Sequence, residues 1–147
     1  MAQFKLPLGQ IGLALEFYKV MIIEDSKTVR LMLKQILLSE KFNLIIEAEN
    51  GIDAIQKLQN APEKPDIIFS DVDMPGMNGI EAVAEIKKID PKIKIVMATS
   101  HKDEDTVKKL LNLGISGYIV KPFDRQQVLE KIAKIVGRDD YLPKFIS

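Results

Sequence analysis

The sequence contains no cysteine and a single histidine, His101, and its 21 basic side chains balance its 21 acidic ones. The lack of cysteine excludes disulfides, thiolate nucleophiles and cysteine-based metal sites, and it fits a reducing compartment. One histidine cannot supply a histidine-rich zinc site. Because the charges balance, no global field attracts nucleic acid or an acidic membrane surface, and any functional charge must be local.

Long hydrophobic runs are also lacking. No apolar run approaches the roughly 20 residues that a membrane-spanning helix needs. The N-terminus, interrupted by Gln10 and Glu16, is a poor signal peptide. With 147 residues and 46% hydrophobic content, the chain has the size and composition of one domain with a substantial core. We therefore expect a soluble, cytoplasmic protein without a nucleic-acid or membrane partner.

From Val20 onward, two kinds of spacing alternate along the chain. Short apolar runs have the length of strands, and several lack the polar alternation of a half-exposed sheet, so we expect them to be covered on both faces. Between them, apolar residues recur with helical spacing. The predicted strands are 20–23, 44–48, 66–69, 93–98 and 117–120. Five strands alternating with five helices predict a doubly wound α/β domain, a five-stranded parallel sheet with helices on both faces.

Residues at the expected helix ends agree with this pattern. Ser, Asn and Asp are preferred as N-caps, and Gly as the left-handed residue after a helix. Ser26 is a predicted N-cap, Asn78 with Glu81 and Asp124 with Gln127 have capping-box spacing, and Gly114 and Gly137 are predicted to end helices.

The stretch "DIIFSDVDMPGMNG", residues 66–79, places two carboxylates after a hydrophobic run. Asp71 follows the third predicted strand, and the pair Pro75–Gly76 ends extended structure soon after. In doubly wound folds, ligands bind outside the carboxyl ends of the strands. We therefore expect an exposed carboxylate at this rim of the sheet.

Polar residues follow the other predicted strands at the same edge: Glu24 and Asp25, Asp71 and Asp73, Thr99 and Ser100, and Lys121. Singly, each is more simply explained as a capping, turn or solvated residue. Together, four acids repel one another, since a pair about 5 Å apart costs roughly 3 kcal/mol at an effective dielectric near 20. A cation is therefore expected among them.

Carboxylate and carbonyl oxygens favour Mg²⁺ over a softer metal. A nearby hydroxyl and an ammonium complete the set of groups that phosphoryl transfer to a carboxylate requires. An aspartate nucleophile that forms an acyl phosphate is a known covalent strategy. We predict that Asp71 accepts the phosphoryl group.

The motifs "VMIIEDS", "IIFSDVDMPGMNG", "IVMATS" and "GYIVKPF" resemble, in order and spacing, those of the receiver domains of two-component response regulators. The stand-alone chemotaxis (CheY-like) regulators are the most similar type. The resemblance spans about residues 19–136 and implies a flavodoxin-like sheet with strand order 2-1-3-4-5. It also implies a signalling protein that is not a turnover enzyme and catalyses only its own phosphorylation and dephosphorylation.

The resemblance assigns roles to individual residues. It implies that Asp25 and Asp71 bind Mg²⁺, with the backbone carbonyl of Asp73 as a third ligand and Glu24 acting through water. Asp71 would receive the phosphoryl group from the phosphohistidine of a partner kinase or phosphotransfer protein.

The same resemblance implies a switch. Thr99 would bind a phosphoryl oxygen and move toward it, Lys121 would pair with the acyl phosphate, and Tyr118 would turn inward when Thr99 moves. The Lys121–Pro122 peptide bond is expected to be cis. The expected surface for a downstream target comprises the fourth helix, fifth strand and fifth helix, around Val107, Lys108, Tyr118 and Lys121.

Two residues depart from the plainest family pattern. Asp73 stands where small polar side chains are common, and His101 is the second residue after Thr99. By the resemblance, both positions flank the approach of the hydrolytic water, so we expect them to influence the lifetime of the phosphorylated state. His101 is more simply read as a solvent-facing loop residue than as a catalyst.

We divide the chain into an N-terminal arm (1–18), a receiver domain (19–137) and a C-terminal tail (138–147). Apolar residues of the arm fit two templates. Those at 11, 13, 15 and 17 alternate as in a strand, and those at 8, 11, 15 and 18 follow a helix. The arm is either a surface segment or a docking element for a partner or a second copy, and we favour docking.

Other functions remain as alternatives. A phosphorelay intermediate and a receiver cut from a longer transcriptional regulator carry the same motifs. "FSDVD" also resembles the Asp-x-Asp of haloacid dehalogenase phosphohydrolases, with the pair Asp139–Asp140 among its later acids. That family opens with its nucleophilic strand, whereas two strand-helix units precede Asp71 here, so the order of the elements argues against this alternative.

Overall fold

A computed structural model describes residues 6–74, 76–100 and 104–142, and it contains five strands alternating with five helices. The strands are β1 (Lys19–Ile23), β2 (Asn43–Ala48), β3 (Ile67–Asp71), β4 (Lys94–Thr99) and β5 (Gly117–Val120). The helices are α1 (Lys27–Ser39), α2 (Gly51–Asn60), α3 (Gly79–Ile89), α4 (Glu104–Asn112) and α5 (Arg125–Val136), followed by a short 3-10 helix, Asp139–Tyr141. All pairings are parallel in the order β2-β1-β3-β4-β5, which confirms the predicted doubly wound fold.

The central strands are buried on both faces, as predicted. Val20 and Ile22 of β1 belong to a core cluster shared with α1 and α5, whereas Met21 and Ile23 belong to a cluster shared with α2, α3 and α4. Successive side chains of a strand point to opposite faces, so the unbroken apolar run of β1 supplies both layers.

The predicted helix ends are confirmed where the structure describes them. Ser26 caps α1 by accepting the N–H of Val29, and Asn78 caps α3 by accepting that of Glu81. Asp124 and Gln127 form a reciprocal capping box at the start of α5. Gly114 and Gly137 have left-handed φ angles of 89° and 76°.

Two strands differ from their predicted bounds in a way that positions the site. β3 extends to Asp71, because its backbone stays in register with β4, where Asp71 pairs with Ala98. β4 likewise ends at Thr99. Asp71 lies at the rim but is only 3% exposed, so the expectation of an exposed carboxylate was wrong. Pro75 lies outside the described residues, whereas Gly76 has a left-handed φ of 84°.

The N-terminal arm folds back onto the domain. Leu8 is fully buried in the core cluster of α1 and α5. The Gly9 N–H donates to the Glu40 carbonyl (2.8 Å), and the Tyr18 N–H donates to the Gly9 carbonyl (2.8 Å). Residues 10–17, which we name the arm loop, contain one antiparallel bridge between Gln10 and Phe17 and neither an extended strand nor a helix. Both templates for the arm were therefore wrong, and its base packs on its own chain.

Glu40, at the end of α1, joins the arm to the C-terminal segment. Its carboxylate accepts the N–H of Leu8 (2.9 Å), the hydroxyl of Tyr141 (2.5 Å) and the guanidinium of Arg125 (2.9 Å). Burial and the hydrogen bond to Glu40 raise the pKa of Tyr141 to about 12. Arg138 adds hydrogen bonds to main-chain carbonyls of the arm. We refer to Glu40, Leu8, Tyr141 and Arg125 as the Glu40 cluster.

None of the helices in the described residues combines the length and the apolar character that crossing a membrane requires.

Candidate functional site

Three acidic side chains converge at the carboxyl ends of β1 and β3. Carboxylate oxygens of Glu24, Asp25 and Asp71 all lie within 4.8 Å of one another. Glu24 and Asp71 are 2% and 3% exposed, whereas Asp25 is open to solvent. The neighbouring parallel strands end together, which brings residues far apart in sequence to one point. We name these three residues the acid cluster.

Lys121, just after β5, reaches across the edge of the sheet into the acid cluster. Its ammonium nitrogen lies 2.8 Å from Glu24 Oε1 and 3.2 Å from Asp71 Oδ1. Its backbone N–H donates to the carbonyl of Thr99 (2.8 Å). The Lys121–Pro122 bond is cis, as expected. Burial alone would lower the pKa of Lys121, but the hydrogen bond to Glu24 and the charges of Asp71 and Glu24 together raise it, so the ammonium stays charged.

Glu24 is the most perturbed acid of the site. Burial, with the adjacent Asp71 carboxylate, raises the pKa of Glu24 to about 7, although Lys121 acts in the opposite direction. The backbone of Glu24 is held by hydrogen bonds at both its N–H and its carbonyl. The Glu24 N–H donates to the Ala48 carbonyl (3.0 Å), and Arg30 donates to the Glu24 carbonyl (2.8 Å). The sequence did not single out Arg30, because a contact from inside α1 back to the preceding loop has no signature in residue spacing.

Asp73 is tied to the site through its backbone. Its N–H donates to Asp71 Oδ1 (3.1 Å), and its carboxylate accepts the hydroxyl of Ser100 (3.2 Å). These contacts connect the loop after β3 with the residue after β4. Ser100 stood among the strand-end residues of the sequence without an assigned role, and the structure pairs it with Asp73. His101 lies outside the described residues.

The two predicted switch residues occupy different environments. Thr99 is 1% exposed at the end of β4, one residue beyond the partner of Asp71, and it pairs with Val120 of β5. Tyr118 is 37% exposed, and the Lys131 ammonium lies 5.9 Å from the centre of its ring. Thr99 thus reaches the same sheet edge as the acid cluster, whereas Tyr118 faces outward on an edge strand.

The acid cluster fits a hard divalent cation. In the part of the chain that the structure describes, these three carboxylates meet one ammonium, that of Lys121, so negative charge exceeds positive charge even if one acid is protonated. All the potential ligand atoms are oxygens, which is the donor set that Mg²⁺ prefers. The exposed Asp25 side chain leaves the site open to a hydrated ion and to a phosphate group.

Comparison with known proteins agrees with this geometry. The family model described as the response regulator receiver domain matches residues 20–133, and the chain therefore belongs to that family. The chemotaxis protein CheY of Bacillus subtilis is 37% identical over 120 residues, covering 82% of this chain and 98% of that protein. The CheY of Thermotoga maritima is 38% identical over 117 residues, covering 80% and 96%.

A solved structure gives the same result. The crystal structure of a CheX–CheY–BeF₃–Mg complex from Borrelia burgdorferi contains a chain that superposes with a TM-score of 0.84 at 33% identity, covering 89% of this chain and 98% of that one. The protein is thus a CheY-like response regulator receiver in fold and family.

Proposed function

We propose that this protein is a single-domain response regulator that accepts a phosphoryl group on Asp71 from the phosphohistidine of a kinase or phosphotransfer protein, with Mg²⁺ as cofactor. The observation that carries the proposal is the buried Asp71 carboxylate, held 3.2 Å from the Lys121 ammonium and within 4.8 Å of the other acids. Chemotaxis signalling in the cytoplasm is the proposed setting, on the strength of the relatives with that role in their names.

The proposed reaction is an in-line displacement. An Asp71 carboxylate oxygen forms a bond to phosphorus while the bond from phosphorus to the donor's leaving atom breaks, which gives an acyl phosphate and the free donor. Asp25 and Asp71 would hold Mg²⁺, together with the Asp73 carbonyl and, through water, Glu24. The ion would neutralise phosphoryl oxygens. Water attack on the acyl phosphate would later restore Asp71 and release inorganic phosphate.

Lys121 and Thr99 would stabilise the product. The Lys121 ammonium already contacts the acceptor carboxylate and would pair with the acyl phosphate. The Thr99 hydroxyl would bind a second phosphoryl oxygen from the adjacent strand. Movement of Thr99 would let the outward-facing Tyr118 turn inward and shift a pre-existing two-state equilibrium. The surface of α4, β5 and α5, around Val107, Lys108 and Tyr118, would then bind the target protein.

The experiment incubates the protein with Mg²⁺ and acetyl phosphate and measures intact mass. We expect one hydroxylamine-labile phosphoryl adduct that maps to Asp71. The adduct should not form in the presence of EDTA or in Asp71→Asn. Asp139→Asn, in the 3-10 helix, is the matched control and should be labelled like the wild type. An adduct on Asp73, or labelling that persists in Asp71→Asn, would overturn the assignment.

The phosphohydrolase alternative loses its support, because the family match identifies a receiver. Asp140, one of the acids that completed that alternative, forms an ion pair with Arg138 (2.8 Å). Hydrolysis of a small phosphate ester with sustained turnover would nevertheless count against the signalling function. Transfer of the phosphoryl group from phospho-Asp71 to a histidine of a phosphotransfer protein would identify a phosphorelay intermediate.

A further inference from the structure

The arm loop presents two leucines to solvent. Leu13 and Leu15 are 91% and 88% exposed, the highest values among the large exposed hydrophobic residues of the described chain. The loop is held in shape by the Gln10–Phe17 bridge and by the Ile11 N–H, which donates to the carbonyl of Glu16 (2.8 Å). Its base is fixed by the buried Leu8. A pair of apolar side chains on an anchored loop is preorganised for binding.

A complementary recess lies beside the base of the loop. It has a volume of about 450 Å³ and lies at the amino ends of β3 and β4, opposite the edge that carries the acid cluster. We name it the basal recess. Its apolar lining comprises Tyr18, Pro65, Ile67, Ile93, Ile135 and Val136. Tyr18 directly follows the Gln10–Phe17 bridge, so the loop and the basal recess are neighbours on one surface.

We propose that the arm loop and the basal recess form a reciprocal interface between two copies of this chain, with Leu13 and Leu15 of each copy seated in the recess of the other. Because the loop and the recess adjoin, a two-fold axis beside Tyr18 brings each loop over its partner's recess, which gives a closed dimer. This surface includes a segment outside residues 20–133, the part that matches the receiver family. The inference is independent of phosphorylation.

Charge favours a second copy over an unrelated apolar surface. Glu16 is an exposed acid next to Leu15 on the loop. The charged residues that line the basal recess are Lys64, Asp66, Asp90, Lys92 and Lys94, which leaves it with a net positive charge. The ammonium groups of Lys92 and Lys94 make no ion pair with an acidic side chain in the described parts of the chain. Seating the leucines would bring Glu16 toward the partner's Lys94. Two such loop-recess contacts would bury on the order of 1,200 Å², the lower end for specific interfaces, so we expect a weak, concentration-dependent dimer.

The test is sedimentation equilibrium of the full chain in EDTA without phosphodonor, at concentrations up to about 1 mM, the weak end of the affinity scale. We expect a reversible dimer whose dissociation constant rises at least about 100-fold in Leu13→Ser/Leu15→Ser, since four exposed leucine side chains lose their contacts. Leu31→Ser, at a half-exposed leucine of α1, is the matched control and should leave the dissociation constant unchanged.

A charge-reversal pair locates the contact. Glu16→Lys and Lys94→Glu should each weaken the dimer, and the double variant should regain most of the lost affinity. The proposal would be overturned if the wild type stayed monomeric at about 1 mM, or if Leu13→Ser/Leu15→Ser dimerised as strongly as the wild type. It would also be overturned if Glu16→Lys/Lys94→Glu recovered none of the lost affinity. A monomer that cosediments with vesicles of phosphatidylcholine and phosphatidylglycerol would overturn it as well. Asp71→Asn should dimerise like the wild type, which separates this outcome from that of the phosphorylation experiment.

Discussion

At the scale of single residues, the site depends on one cation among buried acids. Lys121 contacts both Glu24 and Asp71, so removing its ammonium leaves two buried carboxylates facing each other. Isolated buried charges are far more costly than paired ones, and nearby acids respond by binding protons. The residue expected to pair with the acyl phosphate therefore also has a structural role in the unphosphorylated protein.

Lys121→Met tests that structural role. We expect the free energy of unfolding in EDTA at pH 7.5 to fall by about 2 kcal/mol, because the partly buried ion pairs are broken. Urea denaturation measures this change. Lys88→Met is the matched control, since Lys88 pairs with Glu85 on an exposed surface and should change stability by less than about 0.5 kcal/mol. Equal effects of the two substitutions would contradict the prediction.

Glu24 predicts a pH dependence. Its pKa is raised from 4.5 to about 7, so the folded state favours the protonated carboxyl. Its contribution to stability is fully present below pH 4.5 and is lost as the pH rises to about 7. The glutamine of Glu24→Gln does not titrate, so the variant lacks this pH-dependent contribution to stability. Relative to the wild type, the variant should therefore gain stability between pH 4.5 and about 7 and change little at higher pH.

The measurement is urea denaturation in EDTA at a series of pH values, because a bound cation would favour the ionised carboxylate. Glu85→Gln on the exposed side of α3 is the control, and its difference from the wild type should stay flat over the same range. A flat difference for Glu24→Gln as well would show that Glu24 titrates without coupling to folding.

At the scale of elements, the N-terminal arm behaves as part of the receiver. Leu8 is buried in the core, and the Glu40 cluster joins the arm, α1 and the C-terminal segment through one carboxylate. The Glu40 side chain is only 13% exposed, and a partly buried carboxylate is costly to leave without its hydrogen-bond donors, so these segments should open together.

Gly9→Ala should detach the arm. A methyl group at this position would lie 2.5 Å from the backbone nitrogen of Phe42 and 2.6 Å from the carbonyl oxygen of Glu40, too close for either backbone to accommodate. We expect a loss of about 3 kcal/mol, from the burial of Leu8 and the hydrogen bonds of the arm. Hydrogen exchange of the Gly9 and Tyr18 amides should accelerate together.

Ala14→Ser, at the exposed tip of the arm loop, is the control and should leave both exchange rates unchanged. If the backbone amide at position 9 stayed protected in Gly9→Ala, the backbone at the end of α1 would have to move to admit the methyl group. The arm would then be less tightly packed than its contacts indicate.

The elements differed in how far the sequence could predict them. β1 and α5 were predictable, because an unbroken apolar run and a capping box are local signals. The arm was not, because Leu8 and Gly9 owe their positions to Glu40, some thirty residues along the chain. A single buried leucine and a glycine chosen for close backbone approach create no periodicity.

At the scale of the whole molecule, the site was largely predictable, since a parallel sheet brings strand ends to one edge. The sequence predicted that Glu24, Asp25, Asp71 and Lys121 would meet, and the structure brings them together. The sequence did not predict the burial of Asp71, which depends on how far β3 stays paired with β4.

Mg²⁺ should stabilise the whole fold by binding the acid cluster of the native state only. At a free concentration of 100 times its dissociation constant, the free energy of unfolding should rise by about 2.7 kcal/mol. Thermal denaturation across a Mg²⁺ titration measures this. Asp25→Asn should abolish most of the increase, whereas Asp139→Asn should retain it. An undiminished increase in Asp25→Asn would place the ion elsewhere.

The contacts of Arg138 with the arm have a topological consequence. Its guanidinium donates to the carbonyls of Leu6 (2.8 Å) and Pro7 (3.1 Å), so the first and last described segments lie side by side. Adjacent ends are what circular permutation requires. A designed linker could therefore join the two described ends, and new ends could open in the connection between α2 and β3, where Pro62 and Glu63 are exposed. Such a permutant would keep the acid cluster, and the arm would become an internal segment of the chain.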